Sequence, residues 1–194
     1  MDIFINHVLE WIVLLALILG SLYTMKIIGQ EKSTFRDESY LVQFGNLALM
    51  IPNWWTIVQQ SDNHLRFERT DSRYDWYAVF TYLPDHQGKG LPQLLEEKFN
   101  AEIIEFDPEV TFETDSRVLF RDSQIQEYFQ EIIRVEGTAS QDVEDRIYYD
   151  IYLMRSQDDQ GYFIFESWSS ILNGSLEGPY FEESLSELSF IHKA

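Results

Sequence analysis

The chain has 194 residues and is strongly acidic, with 33 acidic residues against 14 basic ones and a net charge of −19. Such a surface repels DNA, RNA and anionic lipid headgroups, which argues against nucleic acid as a partner. The chain contains no cysteine. This excludes disulfide bonds, thiolate metal sites and cysteine nucleophiles.

The N-terminal region contains an uncharged apolar stretch, Trp11–Met25, between Glu10 and Lys26. With its apolar flanks it reaches the roughly 20 residues that a helix needs to cross a bilayer. We therefore predict a single-pass transmembrane anchor over residues 1–28, with Trp11, Leu15, Leu19 and Tyr23 in the span. A cleaved signal peptide and a buried core helix are the alternatives. The first is disfavoured because no Lys or Arg precedes the apolar run.

The charges that flank this stretch predict its orientation. Lys26, Lys32 and Arg36 follow it, whereas the charged side chains before it, Asp2 and Glu10, are acidic. The positive-inside rule then places the rest of the chain in the cytoplasm. A periplasmic or other extracytoplasmic domain is the alternative.

The remaining chain predicts a short polar linker at residues 29–39 and one domain at residues 40–194. Leu91–Ile104 carries apolar residues at helical spacing, and Pro179 is predicted to open a last helix after a glycine-rich break at Asn173–Pro179. Apolar and aromatic runs bounded by turn residues predict strands in the other segments. These are two around Gly45-Asn46 and one each at Trp54–Gln60, Leu65–Arg69, Asp75–Leu83, Arg117–Arg121, Ile125–Thr138, Arg146–Ser156 and Tyr162–Ser170. This order predicts an α+β fold with an antiparallel β-sheet packed by two helices.

Two segments of the domain resemble the PsbP/DcrB-like superfamily. Leu47–Trp54 is similar to the opening strand of that family, although Asn53 stands where a glycine is usual. Phe181–Phe190 resembles its final helix and the Ser-Phe pair that follows. The resemblance implies an antiparallel sheet with packed helices and a non-enzymatic role as an accessory subunit, a lipoprotein or a chaperone of secreted effectors. It implies no catalytic residues and no cofactor.

Several strands are apolar on both faces, so the sheet needs a cover on each side. Either the helices and the N-terminal strands cover both faces, or one face rich in Tyr and Trp is partly open and binds a peptide or a helix. Tyr and Trp suit such a surface because they combine apolar area with a polar group. The candidate protein-binding residues are Trp54, Trp55, Tyr148, Tyr152, Tyr162 and Trp168.

We therefore expect a membrane-anchored binding or assembly module that is not an enzyme. It would dock to proteins of a larger membrane complex or chaperone a hydrophobic segment. The alternative is an envelope domain that binds a metal or a small ligand, with possible hydrolytic activity, which would need His64 or His86 near several acids. Because no metal-ligand spacing is present in the sequence, we predict no metal site and no cofactor.

Overall fold

The computed structural model describes residues 2–69, 75–84, 88–142, 145–157 and 161–191, with residues 2–10, 25 and 27–33 described by their backbone alone. The chain divides into two compact units, Met1–Ser39 and Tyr40–Ala194.

The first unit is one long helix, α1, which runs from Asp2 to Asp37. The helix continues through most of residues 29–39, which the sequence predicted as a linker. Among the described residues of the chain, no helix combines the length and the apolar character that crossing a bilayer requires. The transmembrane anchor predicted at residues 1–28 is therefore not confirmed.

The second unit alternates strands with short helices. Its strands are β1 (Ser39–Phe44), β2 (Leu47–Pro52), β3 (Trp55–Ser61), β4 (His64–Arg69), β5 (Trp76–Pro84), β6 (Ile104–Phe106), β7 (Thr111–Glu113), β8 (Phe129–Gln141), β9 (Asp145–Ser156), β10 (Gly161–Ser170) and β11 (Ser189–Phe190). Its helices are α2 (Leu91–Glu102), α3 (Ser116–Leu119), α4 (Ser123–Tyr128) and α5 (Ile171–Ser186). The α+β class predicted from the sequence is confirmed.

The strands form two antiparallel sheets. The large sheet has the order β3-β4-β5-β10-β9-β8-β6, and β7 also pairs with β8. The small sheet has the order β1-β2-β11. At the centre of the large sheet Phe165 lies opposite Phe80 on β5 and opposite Tyr152 on β9. This register places large aromatic side chains in the middle of the core.

Both faces of the large sheet are covered. On the first face, α3, α4, α5 and the small sheet enclose a core that contains Trp55, Phe80, Tyr152, Phe165 and Phe181. On the second face, α2 packs its buried residues Leu91 and Leu95 over a separate core. The residues of that core on the sheet include Tyr149, Ile151, Leu153, Ile164 and Trp168.

The sequence prediction was wrong for the segment before the long strand β8. Arg117–Arg121 was predicted as a strand, but it mostly forms the single turn α3. The predicted strand Ile125–Thr138 begins as the helix α4, and β8 starts only at Phe129. The reason is local capping, because Asp115 and Asp122 each accept hydrogen bonds from the first backbone N–H groups of the helix that follows.

The prediction was also wrong for the start of the last helix. Asn173–Pro179 was predicted as a break, but α5 begins at Ile171 and contains Pro179 in its interior. Gly174 lies inside this helix and packs on Tyr148. A Cβ at this position would come 2.3 Å from Cγ of that ring, so only glycine fits. The glycine here allows two elements to approach each other and does not end the helix.

Candidate functional site

The structure does not bring the six candidate binding residues together on one surface. Tyr148 and Tyr152 project from the first face of the large sheet, whereas Tyr162 and Trp168 project from the second face. Tyr152, Tyr162 and Trp168 are buried. The open aromatic face proposed from the sequence is therefore closed at these positions by α5 on one side and α2 on the other.

Trp54 and Trp55 lie at the start of β3 and differ in exposure. Trp55 is fully buried and stacks on Trp76 with 4.3 Å between ring centroids. Trp54 is half-buried and meets Tyr180 of α5 edge to face at 5.1 Å. Of the pair, only Trp54 reaches the surface.

A buried carboxylate on α5 holds both indoles. Glu177 accepts the Nε1–H of Trp55 at 2.8 Å and the Nε1–H of Trp54 at 3.4 Å. The guanidinium of Arg69 on β4 also donates to this carboxylate. The side chain of Glu177 is only 1% exposed, so these donors replace water around its charge. This cluster fixes the position of α5 against the hairpin of β3 and β4.

The opposite face of α5 is exposed and apolar. Leu172 is 79% exposed and Leu176 is 51% exposed, and Ile171 beside them is also exposed. Leu172, Leu176 and Tyr180 are four residues apart, which places them along one side of the helix. Trp54 extends this side through its contact with Tyr180. We call Ile171, Leu172, Leu176, Tyr180 and Trp54 the α5 surface.

The α5 surface was missed by the sequence analysis. The spacing of Leu172 and Leu176 was a usable signal, but it falls within the segment that Gly174, Gly178 and Pro179 made resemble a break. Exposed apolar side chains that lie next to one another on a folded domain typically mark an interaction site. This surface is therefore the candidate functional site.

A polar cavity of about 550 Å³ adjoins α5. Its lining includes Asp107, Glu109, Glu136, Thr138 and Tyr148. The ring of Tyr148 packs under Gly174 of α5, and its hydroxyl donates to the carboxylate of Glu136. Tyr148 therefore forms the boundary between the helix and the cavity.

An ion cluster lies beside Tyr148 on the same face. The guanidinium of Arg134 contacts Asp150 at 3.0 Å, Glu136 at 2.7 Å and Glu182 of α5 at 3.3 Å. Asp150 is fully buried, and burial raises the pKa of its carboxyl to about 7 although Arg134 opposes this shift. One cation thus faces three carboxyl groups in this cluster.

A second buried carboxyl group lies under α2. Glu166 accepts the hydroxyl of Tyr149 at 2.7 Å and contacts Nζ of Lys98 at 2.7 Å. Burial raises the pKa of Glu166 to about 7 despite the lysine. Trp168 lies beside this pair and stacks on Tyr77 at 5.1 Å. The cluster joins α2 to the sheet, and it contains no nucleophile placed next to a base.

The histidines do not form a metal site in the part of the chain that is described. No group of three or more His, Cys, Asp or Glu side chains with metal-binding geometry occurs among those residues. His64 lies on β4, with Nδ1 3.4 Å from Oγ1 of Thr81. His86 lies outside the described residues. The alternative of a metal-dependent envelope domain therefore gains no support from the described geometry.

Comparison with solved structures identifies the fold. The solution structure of the cyanobacterial PsbP protein (CyanoP) from Synechocystis sp. PCC 6803 matches with a TM-score of 0.51 and 13% sequence identity, over 79% of this chain and 91% of that one. The chain has the PsbP fold. The resemblance to the PsbP/DcrB-like superfamily is thereby confirmed at the level of the fold.

Two further solved structures are similar to this PsbP fold. The Ran-binding protein Mog1p from Saccharomyces cerevisiae has a TM-score of 0.48 and 8% identity, over 78% of this chain and 95% of its own. The protein PA94 from Pseudomonas aeruginosa has a TM-score of 0.46 and 6% identity, over 81% of this chain and 99% of its own. No protein-family model and no curated protein sequence matches the chain.

Proposed function

We propose that this protein is a non-enzymatic accessory module that binds another protein through the α5 surface. The observation that carries the proposal is the exposure of Leu172 and Leu176 on a helix whose other side is firmly held in the core. A fixed helix needs little ordering on binding, so its apolar side chains contribute to affinity at low entropic cost.

The packing around α5 supports this use of the helix. Glu177 connects the helix to the hairpin of β3 and β4, and its own side chains Phe181 and Leu185 are completely buried in the core. The exposed leucines therefore do not result from a loosely attached helix. Fully burying a leucine side chain contributes roughly 1.5–3 kcal/mol, so the two leucines would supply a sizeable part of the binding free energy.

Site-specific photo-crosslinking tests the proposal in the full-length chain. A photoreactive residue replaces Leu172 or, as a matched control, Leu41 on β1, which is 69% exposed. We expect a discrete protein adduct from position 172 and none from position 41. The crosslinked protein is then identified by mass spectrometry and purified. Its affinity should fall by roughly 10-fold or more for the double variant Leu172→Ser/Leu176→Ser.

Equal crosslinking from the two positions would contradict the proposal. So would an unchanged affinity of the purified partner for the double variant. Circular dichroism and thermal unfolding of the variant serve as the folding control, since both leucines are exposed and their replacement should leave the fold intact.

Membrane attachment through Trp11–Met25, a cytoplasmic domain and a place in a larger membrane complex stay predictions from the sequence. They are independent of the α5 surface. A topology reporter fused after Ala194, combined with membrane fractionation, tests them directly.

A further inference from the structure

The charges around the α5 surface bear on the chemistry of its partner. In the ion cluster, Arg134 is shared by Asp150, Glu136 and Glu182. The side chain of Glu182 is 55% exposed and projects from α5 itself, whereas that of Asp150 is fully buried. The cluster therefore presents excess negative charge at the exposed end that a docking chain would reach.

The adjoining cavity adds further acids. Asp107 pairs with Arg146 at 2.9 Å, and Glu109 is exposed at the cavity wall. Tyr148 places this cavity directly beside Gly174, within the stretch of α5 that carries Leu172 and Leu176. The apolar strip and the acidic cavity thus lie on the same face of the sheet, with the leucines on the outer side of α5 and the cavity beside Tyr148, which contacts the inner side of the helix.

We propose that the partner is a polypeptide segment that combines apolar side chains with a Lys or Arg. This inference rests on the proposed function of the α5 surface. The apolar side chains pack on Leu172 and Leu176, and the cation enters the acidic cavity beside Tyr148, near Glu109 and Glu182. The cavity of about 550 Å³ is large enough for an extended basic side chain.

The net charge of the protein favours this partner over two other occupants. A second copy of a chain with a net charge of −19 would be repelled. An anionic membrane surface would be repelled for the same reason. A basic segment is attracted, and the attraction speeds association as well as selecting the partner.

Two designed peptides test the proposal with the full-length chain. Both are labelled amphipathic helices with the same leucine face, but one ends in two arginines and the other in two glutamines. Binding is measured by fluorescence anisotropy at low and at high salt. We expect the arginine peptide to bind at least about 5-fold more tightly at low salt, with the difference shrinking as salt screens the charges.

Matched variants of the protein test where the arginines of the peptide bind. Glu109→Gln/Glu182→Gln should lower the affinity for the arginine peptide by about 5-fold to 10-fold and leave the affinity for the glutamine peptide unchanged. The control Glu96→Gln/Glu105→Gln removes two exposed acids from α2 and β6 and should change neither. Both pairs of residues are exposed or largely exposed, so folding is preserved.

The outcomes separate this inference from the proposed function. The inference of a basic partner is overturned if the two peptides bind equally, or if Glu109→Gln/Glu182→Gln does not change the affinity for the arginine peptide. The proposed function of the α5 surface still holds in both cases if Leu172→Ser/Leu176→Ser abolishes binding. No binding of the arginine peptide also overturns the inference. The basic partner is also overturned if the protein dimerises in sedimentation experiments, or floats with zwitterionic vesicles, in a way that Leu172→Ser/Leu176→Ser abolishes. Failure of the crosslink at position 172 removes the proposed function itself.

Discussion

The carboxylate of Glu177 accepts the indole N–H of Trp55 at 2.8 Å although the two residues are 122 positions apart in the chain. This bond joins the C-terminal helix α5 to the first strand of the large sheet. Because both side chains are buried, the bond also fixes the orientation in which α5 presents Leu172 and Leu176.

Replacing this carboxylate should destabilise the domain. Glu177→Ala leaves the indole of Trp55 and the guanidinium of Arg69 without the acceptor that they share, and we expect a loss of about 3 kcal/mol in the free energy of unfolding. Urea unfolding followed by tryptophan fluorescence measures the change. Glu96→Ala on the exposed side of α2 is the control and should stay within about 0.5 kcal/mol of the wild type. A similar value for both variants would show that the buried carboxylate is dispensable.

The glycines of α5 should respond differently to the same substitution. A Cβ on Gly174 would lie 2.3 Å from the ring of Tyr148, whereas one on Gly178 would lie 3.5 Å from it. Gly174→Ala should therefore cost about 1–3 kcal/mol through overpacking. Gly178→Ala should cost clearly less, because its Cβ would lie at an ordinary contact distance from that ring. Thermal unfolding of both variants checks this order, and equal effects would argue against the close contact.

The stability of the domain should depend on the protonation of Glu166. Burial raises its pKa from 4.5 to about 7, so between these values the folded protein holds a proton that the unfolded chain has released. The stability from this group is complete below the unfolded pKa and is lost as the pH rises through the folded pKa. Glu166→Gln keeps a neutral side chain at every pH. Its stability relative to the wild type should therefore increase from about pH 5 to about pH 8.

Unfolding in urea across this pH range measures the difference between the two proteins. Lys98 also contacts Glu102 at 2.7 Å, so the lysine should keep an ion-pair partner when Glu166 is replaced. The exposed variant Glu96→Gln should give a curve parallel to that of the wild type. A parallel curve for Glu166→Gln as well would mean that the carboxyl group titrates alike in the folded and unfolded chain.

Helix α4 should depend on its N-terminal cap. Asp122 accepts the backbone N–H of Gln124 at 2.7 Å. Asp122→Ala should lower the free energy of unfolding by about 1 kcal/mol, and Asp122→Asn should restore most of it. Denaturant unfolding of the three proteins measures this. If alanine and asparagine behave alike, the cap contributes nothing.

The sequence predicted the elements whose side chains repeat with a clear period. The strand at Asp75–Leu83 and the hairpin of β9 and β10 agree with the structure to within about a residue, because each is a run of apolar and aromatic residues bounded by turn residues. Helix α2 was predicted from its leucine spacing. The short helices α3 and α4 were missed, since each is set by one capping aspartate and has no room for a periodic pattern.

The candidate site was harder to predict because it depends on contacts between distant residues. Gly174 lies in a helix because Tyr148, on another strand, approaches its backbone. Nothing in the residues around Gly174 reveals that approach. The burial of Tyr152 and Trp168 likewise depends on which helix covers each face of the sheet. The sequence could name aromatic residues, but only the assembled fold shows that Leu172 and Leu176 are exposed side by side on α5.

The small sheet pairs the first strands of the domain with its last strand. Phe190 of β11 lies opposite Leu47 of β2, and Leu47, Leu49 and Ile51 are completely buried in the finished fold. During synthesis β2 leaves the ribosome long before its neighbour, so a nascent chain carries this apolar strand with an unpaired edge until residue 190 has emerged. Closure of the domain is thus a late step that depends on contacts of high sequence separation. Ribosome-bound intermediates should therefore be the form of this protein most in need of a cellular chaperone.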